Sequence, residues 1–219
     1  MYQYDWSVIG RNMDIFISGA LKTLEISALA ILIAIPIGII FGLGRISKNK
    51  IFRFISSAYV EIIRGVPLLV LLIWIYFVLG QYFRLGSFWG SIVGLAVFAG
   101  AFIAEIVRSG IQAVPRGQME AARSLGMSHS KAMTHIILPQ AFRRVLPPLA
   151  SQFIMLIKDS SLVSVIAATD LTLNAKNLVA TSFRSIEVWT FVALIYLIMT
   201  FSLSLIIRFL EKRLLKSEA

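Results

Sequence analysis

The stretch "EAARSLGMSHSKAMTHIILP", Glu120 to Pro139, governs how the rest of the chain is read. It lies between two segments apolar enough to sit in a membrane, yet its first half is small, polar and charged. Gly126 is placed to end one helix and Ser128 to cap the next. Upstream, "PRGQMEAARSLG" (Pro115–Gly126) predicts a short helix that starts at Pro115 and Gly117, with Ala121, Ala122 and Leu125 as an apolar stripe. A second helix is expected over Ser128–Leu138. Pro139 interrupts it before the chain re-enters the membrane at Pro147–Pro148. The whole segment, about 109–145, is too long to be a turn. Two readings fit: a knob whose small side chains let another protein approach closely, or a helix that only anchors the loop on lipid. Periodicity does not separate them.

Working outward, 58% of the 219 residues are hydrophobic, against about 45–50% for an average soluble domain. Mean hydropathy is +0.84. The absence of cysteine excludes disulfides, thiol chemistry and Cys-based metal sites. His129 and His135 have no carboxylate or cysteine set around them, so no metal site is expected. The N-terminal "MYQYDWSVIGRNMD" lacks the pattern of a signal peptide; Tyr2, Tyr4 and Trp6 suit a helix in the membrane interface.

A crossing helix needs roughly 20 residues. Five candidates emerge: Leu21–Gly44, with Pro36 inside; Ser56–Phe83, carrying Glu61, Arg64 and Pro67; Phe88–Val107, holding Glu105; Leu146–Thr169, with Lys158 and Asp159 in its middle; and Val188–Ile207. An odd number puts the termini on opposite sides. One set of loops and tails holds Arg45, Lys48, Lys50, Arg53, Arg108, Arg116, Arg123, Lys131, Arg143, Arg144, Arg208, Lys212, Arg213 and Lys216. The other holds Arg11, Arg84, Lys176 and Arg184. Fourteen against four puts the N-terminus outside and the C-terminus and the long loop in the cytoplasm. The net charge of +10 follows from this topology and calls for no nucleic acid.

Charges inside spans are costly, about 2.5–3.5 kcal/mol each at the bilayer centre. Lys158 and Asp159 cut their span into two pieces, each too short to cross alone, and interrupted spans point to transport sites. Neighbours on a helix do not face each other squarely, so each needs a partner elsewhere. Glu61 and Arg64 are three apart and can pair on one face, as can Glu105 and Arg108. Lys22 and Glu25 can reach the outer interface. An interhelical pair such as Arg64 with Asp159 would serve packing alone.

Glu120-Ala121-Ala122, Gly126 and Ile136-x-Leu138-Pro139 together resemble the EAA motif of binding-protein-dependent ABC importer permeases. "EIIRGVPLLVLLIWIYF" (Glu61–Phe77), "AFIAEIVRSGIQAVPRGQMEAARSLG" (Ala101–Gly126), "ILPQAFRRVLPPL" (Ile137–Leu149) and "KDSSLVSVI" (Lys158–Ile166) look like the polar amino acid branch of that family, in order and over nearly the whole chain. The resemblance implies an all-α membrane protein of the type I importer fold, one permease domain over residues 1–219, in the bacterial plasma membrane. It makes Glu120, Ala121, Ala122, Arg123, Leu125 and Gly126 the coupling helix seated on a separate ATPase. The chain has no G-x-x-x-x-G-K-[ST] phosphate loop, so ATP and magnesium belong to that partner and no cofactor is expected here. A second permease subunit, identical or related, and an external amino-acid-binding protein complete the implied assembly, the latter meeting the outer loops.

Given an amino acid substrate, Arg64 or Lys158 suits its carboxylate and Asp159 or Glu61 its ammonium group, with hydroxyl contacts from Ser160 and Ser161. Glu61, Glu105 and Asp159 as spare carboxylates favour basic amino acids, with glutamine next. A self-contained secondary transporter would want inverted repeats, which the halves do not show. A membrane enzyme would need a nucleophile–base pair or metal ligands, and neither is evident.

Overall fold

The computed structural model describes residues 2–216, with side chains through Phe209. Among the described residues there are helices and no strands. In chain order they are α1 (Ser7–Arg11), α2 (Met13–Arg45), α3 (Lys50–Gly65), α4 (Leu68–Phe83), α5 (Ser87–Gln112), α6 (Arg116–Ser124), α7 (His129–Ile166), α8 (Leu171–Ser182) and α9 (Ser185–Lys216). Four of these are long and apolar enough to cross a membrane, and the pair α3 and α4 makes a fifth span if counted as one.

The expected second span is therefore broken. Its halves meet at 109°. The cause is Pro67: it has no N–H to donate, and its ring drives Val66 out of the helical region to φ −102°, ψ 132°. The aromatic N-terminal segment is helical only from Ser7 onward, where Val8 and Ile9 bury against Phe16 and Leu171. Pro36, by contrast, is carried inside α2 without ending it.

The expected fourth span is corrected more deeply. The proposed second loop helix and the membrane span are one continuous element, α7. Ser128 does cap its start, its hydroxyl accepting from the Lys131 amide at 3.3 Å. Pro139 does not stop it. The missing donor falls just beyond a widened π turn, Met133–Ile137, where the hydrogen-bond ladder is already rearranged. Pro147 and Pro148 also lie within the helix. Lys158 and Asp159 consequently stand at its far end, where the α-helix tightens to a 3-10 turn over Ser160–Ile166, and not mid-span.

α5 is the central helix, with 61% of its most apolar stretch buried, whereas α9 is peripheral at 6%. The main core joins Ile26, Leu72, Leu95, Ile103 and Leu156 from α2, α4, α5 and α7. A second cluster at the outer end packs Phe16, Leu171 and Val188. There Asp170 caps α8, accepting from the Leu173 amide at 2.8 Å; burial pushes its carboxyl up, against the pull of that bond. The N-terminal strap is tied down at the same end: Glu187 accepts from Tyr2 and from the Asp5 amide, and Arg184 donates to the Gln3 carbonyl. A third cluster, Ile111, Val114, Ile137 and Ala141, sits at the basic end and carries α6.

Candidate functional site

α6 forms because Pro115 starts it and a left-handed glycine stops it. Gly126 has φ +79°. Its amide donates to the Arg123 carbonyl at 3.0 Å, and the Met127 amide to Ala122 at 3.1 Å. These two bonds make the Schellman pattern, which satisfies carbonyls the helix end would otherwise leave open. The inner face is fixed to the bundle: Ala122 is buried, Met119 packs on the basic-end cluster, and Gln118 accepts from Gln140 of α7 at 3.2 Å. The expected stripe of Ala121, Ala122 and Leu125 thus splits. Ala122 turns inward, while Gly117, Ala121 and Leu125, spaced by four, line the outer face. Glu120 and Arg123 are exposed beside them. Leu125 is 84% exposed, the most exposed large apolar side chain in the described residues. The outer face thus presents two small residues and ends in one bare leucine.

From this helix a four-residue corner, Leu125 to Ser128, leads directly into α7. From His129 to Asp159 that element is about 45 Å long at 1.5 Å per residue. It connects the outer face of α6 mechanically to the charges at the opposite end.

The charged residues fall into two groups. At the basic end Arg45 bridges Glu61 at 2.9 Å and Glu105 at 2.5 Å, and Glu105 also holds Arg108 at 2.5 Å. This cluster knots α2, α3 and α5 together. The Glu105–Arg108 pair is the one its spacing allows. The Glu61–Arg64 pair is not made, because Arg45 takes the Glu61 carboxylate. Arg64 instead lies over the Phe102 ring, 5.4 Å from its centre, a cation–π contact that leaves its donors open. The second group is Lys158, exposed, and Asp159, half-buried. Among the described residues no ion pair joins Asp159 to Arg64 or to any other side chain. Ser160 is buried, with its hydroxyl donating to the Ile157 carbonyl at 2.7 Å; Ser161 is half-buried. Glu61 and Glu105 are therefore held in the cluster, and of the three carboxylates expected to be spare only Asp159 remains.

Glu105→Gln is expected to leave the Arg45 and Arg108 guanidinium groups crowded together. The cluster is partly exposed, with Glu105 at 25%, so the cost is about 2 kcal/mol, below the 3–5 of a fully buried pair. A thermal melt in detergent should fall by roughly 4–8 °C.

The model of the binding-protein-dependent transport system inner membrane component family matches residues 34–216. The chain belongs to that family. It is 42% identical to a probable glutamine ABC transporter permease protein of Bacillus subtilis, over 96% of this chain and 98% of that one. It is 39% identical to the glutamine transport system permease protein of Escherichia coli K12, over 97% and 98%. Among solved structures it is similar to one described as an amino acid ABC transporter with histidines, at TM-score 0.91 and 39% identity, covering 97% of this chain and all of that one. As a binding-protein-dependent transport component it is a multi-pass inner membrane protein of the type I fold. Sequence reasoning found α6 and the paired charges of α5. It missed Arg45 as the hub of the basic-end cluster; the signal available was an arginine at the last turn of a span, facing two spans that each carry a glutamate.

Proposed function

We propose that the chain is the membrane-spanning subunit of an ATP-driven importer for a polar amino acid, with glutamine the first candidate. The observation that carries this is the join of α6 to α7. An exposed docking face is fixed at one end of a continuous helix, and Lys158 and Asp159 stand at the other. A separate ATPase, holding ATP and magnesium, seats α6; closure of the ATPases tilts α7 and moves the charged end relative to α4 and α5. A second permease copy or a related chain encloses the pathway, since five spans enclose one poorly, and an external binding protein delivers the substrate at the outer end.

Within the pathway, Lys158 receives the carboxylate of the amino acid and Asp159 its ammonium group, and Arg64, which stands at the basic end, receives the carboxylate further along the path. Open donors on Arg64 and the unpaired Asp159 support these roles. Ser161 supplies a hydroxyl; the Ser160 hydroxyl is committed to its own helix. Glu61 stays available only by leaving Arg45. Glutamine stands ahead of basic amino acids because Asp159 alone remains to meet a cationic side chain, and because the two curated relatives above are named for glutamine.

The test is uptake by proteoliposomes of the copurified complex. Asp159→Asn and Arg64→Gln should each lower glutamine uptake about tenfold or more, the loss of one charge-assisted contact, with the subunits still together. Unchanged uptake in both variants would remove these residues from the pathway. Uptake by the chain alone, with no ATPase present, would overturn the importer reading.

A further inference from the structure

We infer that this chain carries a binding site for an anionic phospholipid of the cytoplasmic leaflet, in an amphipathic groove between α2, α5 and α7. The groove has two parts. The lower part is an apolar cavity of about 330 Å³ on the flank of the bundle, between α2, α5 and α7. The upper part is a cleft of about 900 Å³ between the α2–α3 turn and the start of α6.

The two are one channel by register. Along α2 the lower part is lined by Ile35, Ile39 and Leu43, and the next residue of that face, Ile46, lines the upper part. Along α5 the series Ile103, Val107 and Ile111 continues to Val114, and Ile111 lines both parts. On α7, Val145 and Ala141 below lead to Ile137 and Met133 above. All three series advance by three or four residues, with Ile46 and Val114 just past the ends of α2 and α5, so one face of each element leads from the lower part into the upper.

The chemistry changes along the channel as a lipid's does. The lower walls hold no charged side chain, and Ile39, Leu43 and Phe142 remain exposed there. From Ile35 to Leu43 the wall is about 12 Å long, close to the roughly 15 Å of one hydrocarbon leaflet. The upper walls offer Lys48, Arg116 and His129 with the hydroxyls of Ser47 and Ser130, and no Asp or Glu. Among the described residues neither Lys48 nor Arg116 has an ion pair. A basic pocket between spans at the cytoplasmic surface is the kind of site that holds acidic headgroups. An acyl chain in the lower part and a phosphate headgroup in the upper part satisfy both at once. The bound lipid would bridge the α2–α3 turn and the root of α6.

The test uses the full chain with whatever subunits accompany it, in nanodiscs of phosphatidylglycerol and phosphatidylcholine in equal amounts, followed by native mass spectrometry after delipidation. The wild type should retain phosphatidylglycerol in preference to phosphatidylcholine, about one per chain. Lys48→Gln should lower that preference about fivefold, the effect of one basic side chain near an acidic surface. Ile39→Trp, which fills the lower part, should lose both lipids without changing the assembly's mass. Equal retention of the two lipids by the wild type, or retention untouched by Ile39→Trp, would overturn the site. Dissociation of subunits by Ile39→Trp would show that a protein occupies the groove, which overturns it too. Should Ile39→Trp fail to insert, the wild-type preference and its response to Lys48→Gln decide alone.

Discussion

Gly126→Val is expected to abolish coupled uptake while the membrane bundle stays folded. Space is not the reason, since a Cβ at this position meets nothing within 4 Å. Conformation is. At φ +79° a β-branched residue is strained by roughly 1–2 kcal/mol or more. The helix end is easier to move than the strain is to bear, because α6 is anchored by little more than Met119, Ala122 and one side-chain amide bond. Relaxation of Gly126 breaks the bonds from its own amide to Arg123 and from the Met127 amide to Ala122. That turns Leu125 away from its line with Gly117 and Ala121, and it also loosens the corner into α7. Both the docking face and its link to the membrane charges are lost together. The readouts are the ATPase that copurifies and uptake in proteoliposomes; both should fall to background. The melting temperature should move by only about 2–4 °C per kcal/mol of strain retained. Gly126→Asn is the control, because asparagine tolerates the left-handed region and should keep most of the coupling. Wild-type uptake in the valine variant would mean that the end of α6 carries no coupling.

Much of this arrangement could be read from the chain because each feature had a local cause. Apolar runs located the spans, the Gly126–Ser128 pair located the corner, and Glu105–Arg108 was a neighbouring pair on one helix. Features decided by distant residues were not legible. Glu61 had a suitable cation three residues away, yet its partner is Arg45, sixteen residues earlier, because the chain turns back at Asn49 and brings α2 against α3. Prolines were legible only in part. Pro67 breaks its helix and drives Val66 extended, whereas Pro139, Pro147 and Pro148 sit inside one continuous element. The residue type is the same; what differs is whether the surrounding ladder and packing absorb the missing donor. Continuity of α7 is a property of the bundle, and it is the property on which the proposed coupling rests.

Gly42→Leu is expected to remove most of the folded protein. Gly38 and Gly42 form a small-xxx-small pair on α2, and they face α5 in the largest helix pairing of the chain. Without water to drive them together, membrane helices gain from close backbone approach, which needs residues of this size. A Cβ on Gly42 would lie 2.7 Å from the Ala104 carbonyl oxygen and 2.8 Å from Val107 Cβ. The first of these is backbone in the middle of α5, so no rotamer change relieves it. The helices must separate, and a leucine forces them further apart than overpacking within a core, which already costs about 1–3 kcal/mol. Separation has a second consequence. Arg45 is one turn from Gly42, and its bonds to Glu105 and Glu61 span the same seam. Moving α2 away therefore weakens the packing and the ion cluster in one step. Size-exclusion profiles of detergent-solubilised protein should show the monodisperse peak largely lost. Gly42→Ala should show a partial loss, and Gly10→Leu, at a position with nothing within 4 Å of a Cβ, should show none. A normal peak for Gly42→Leu would mean that α2 and α5 are not held at backbone distance, and the cluster at Arg45 would then have to hold the basic end together unaided.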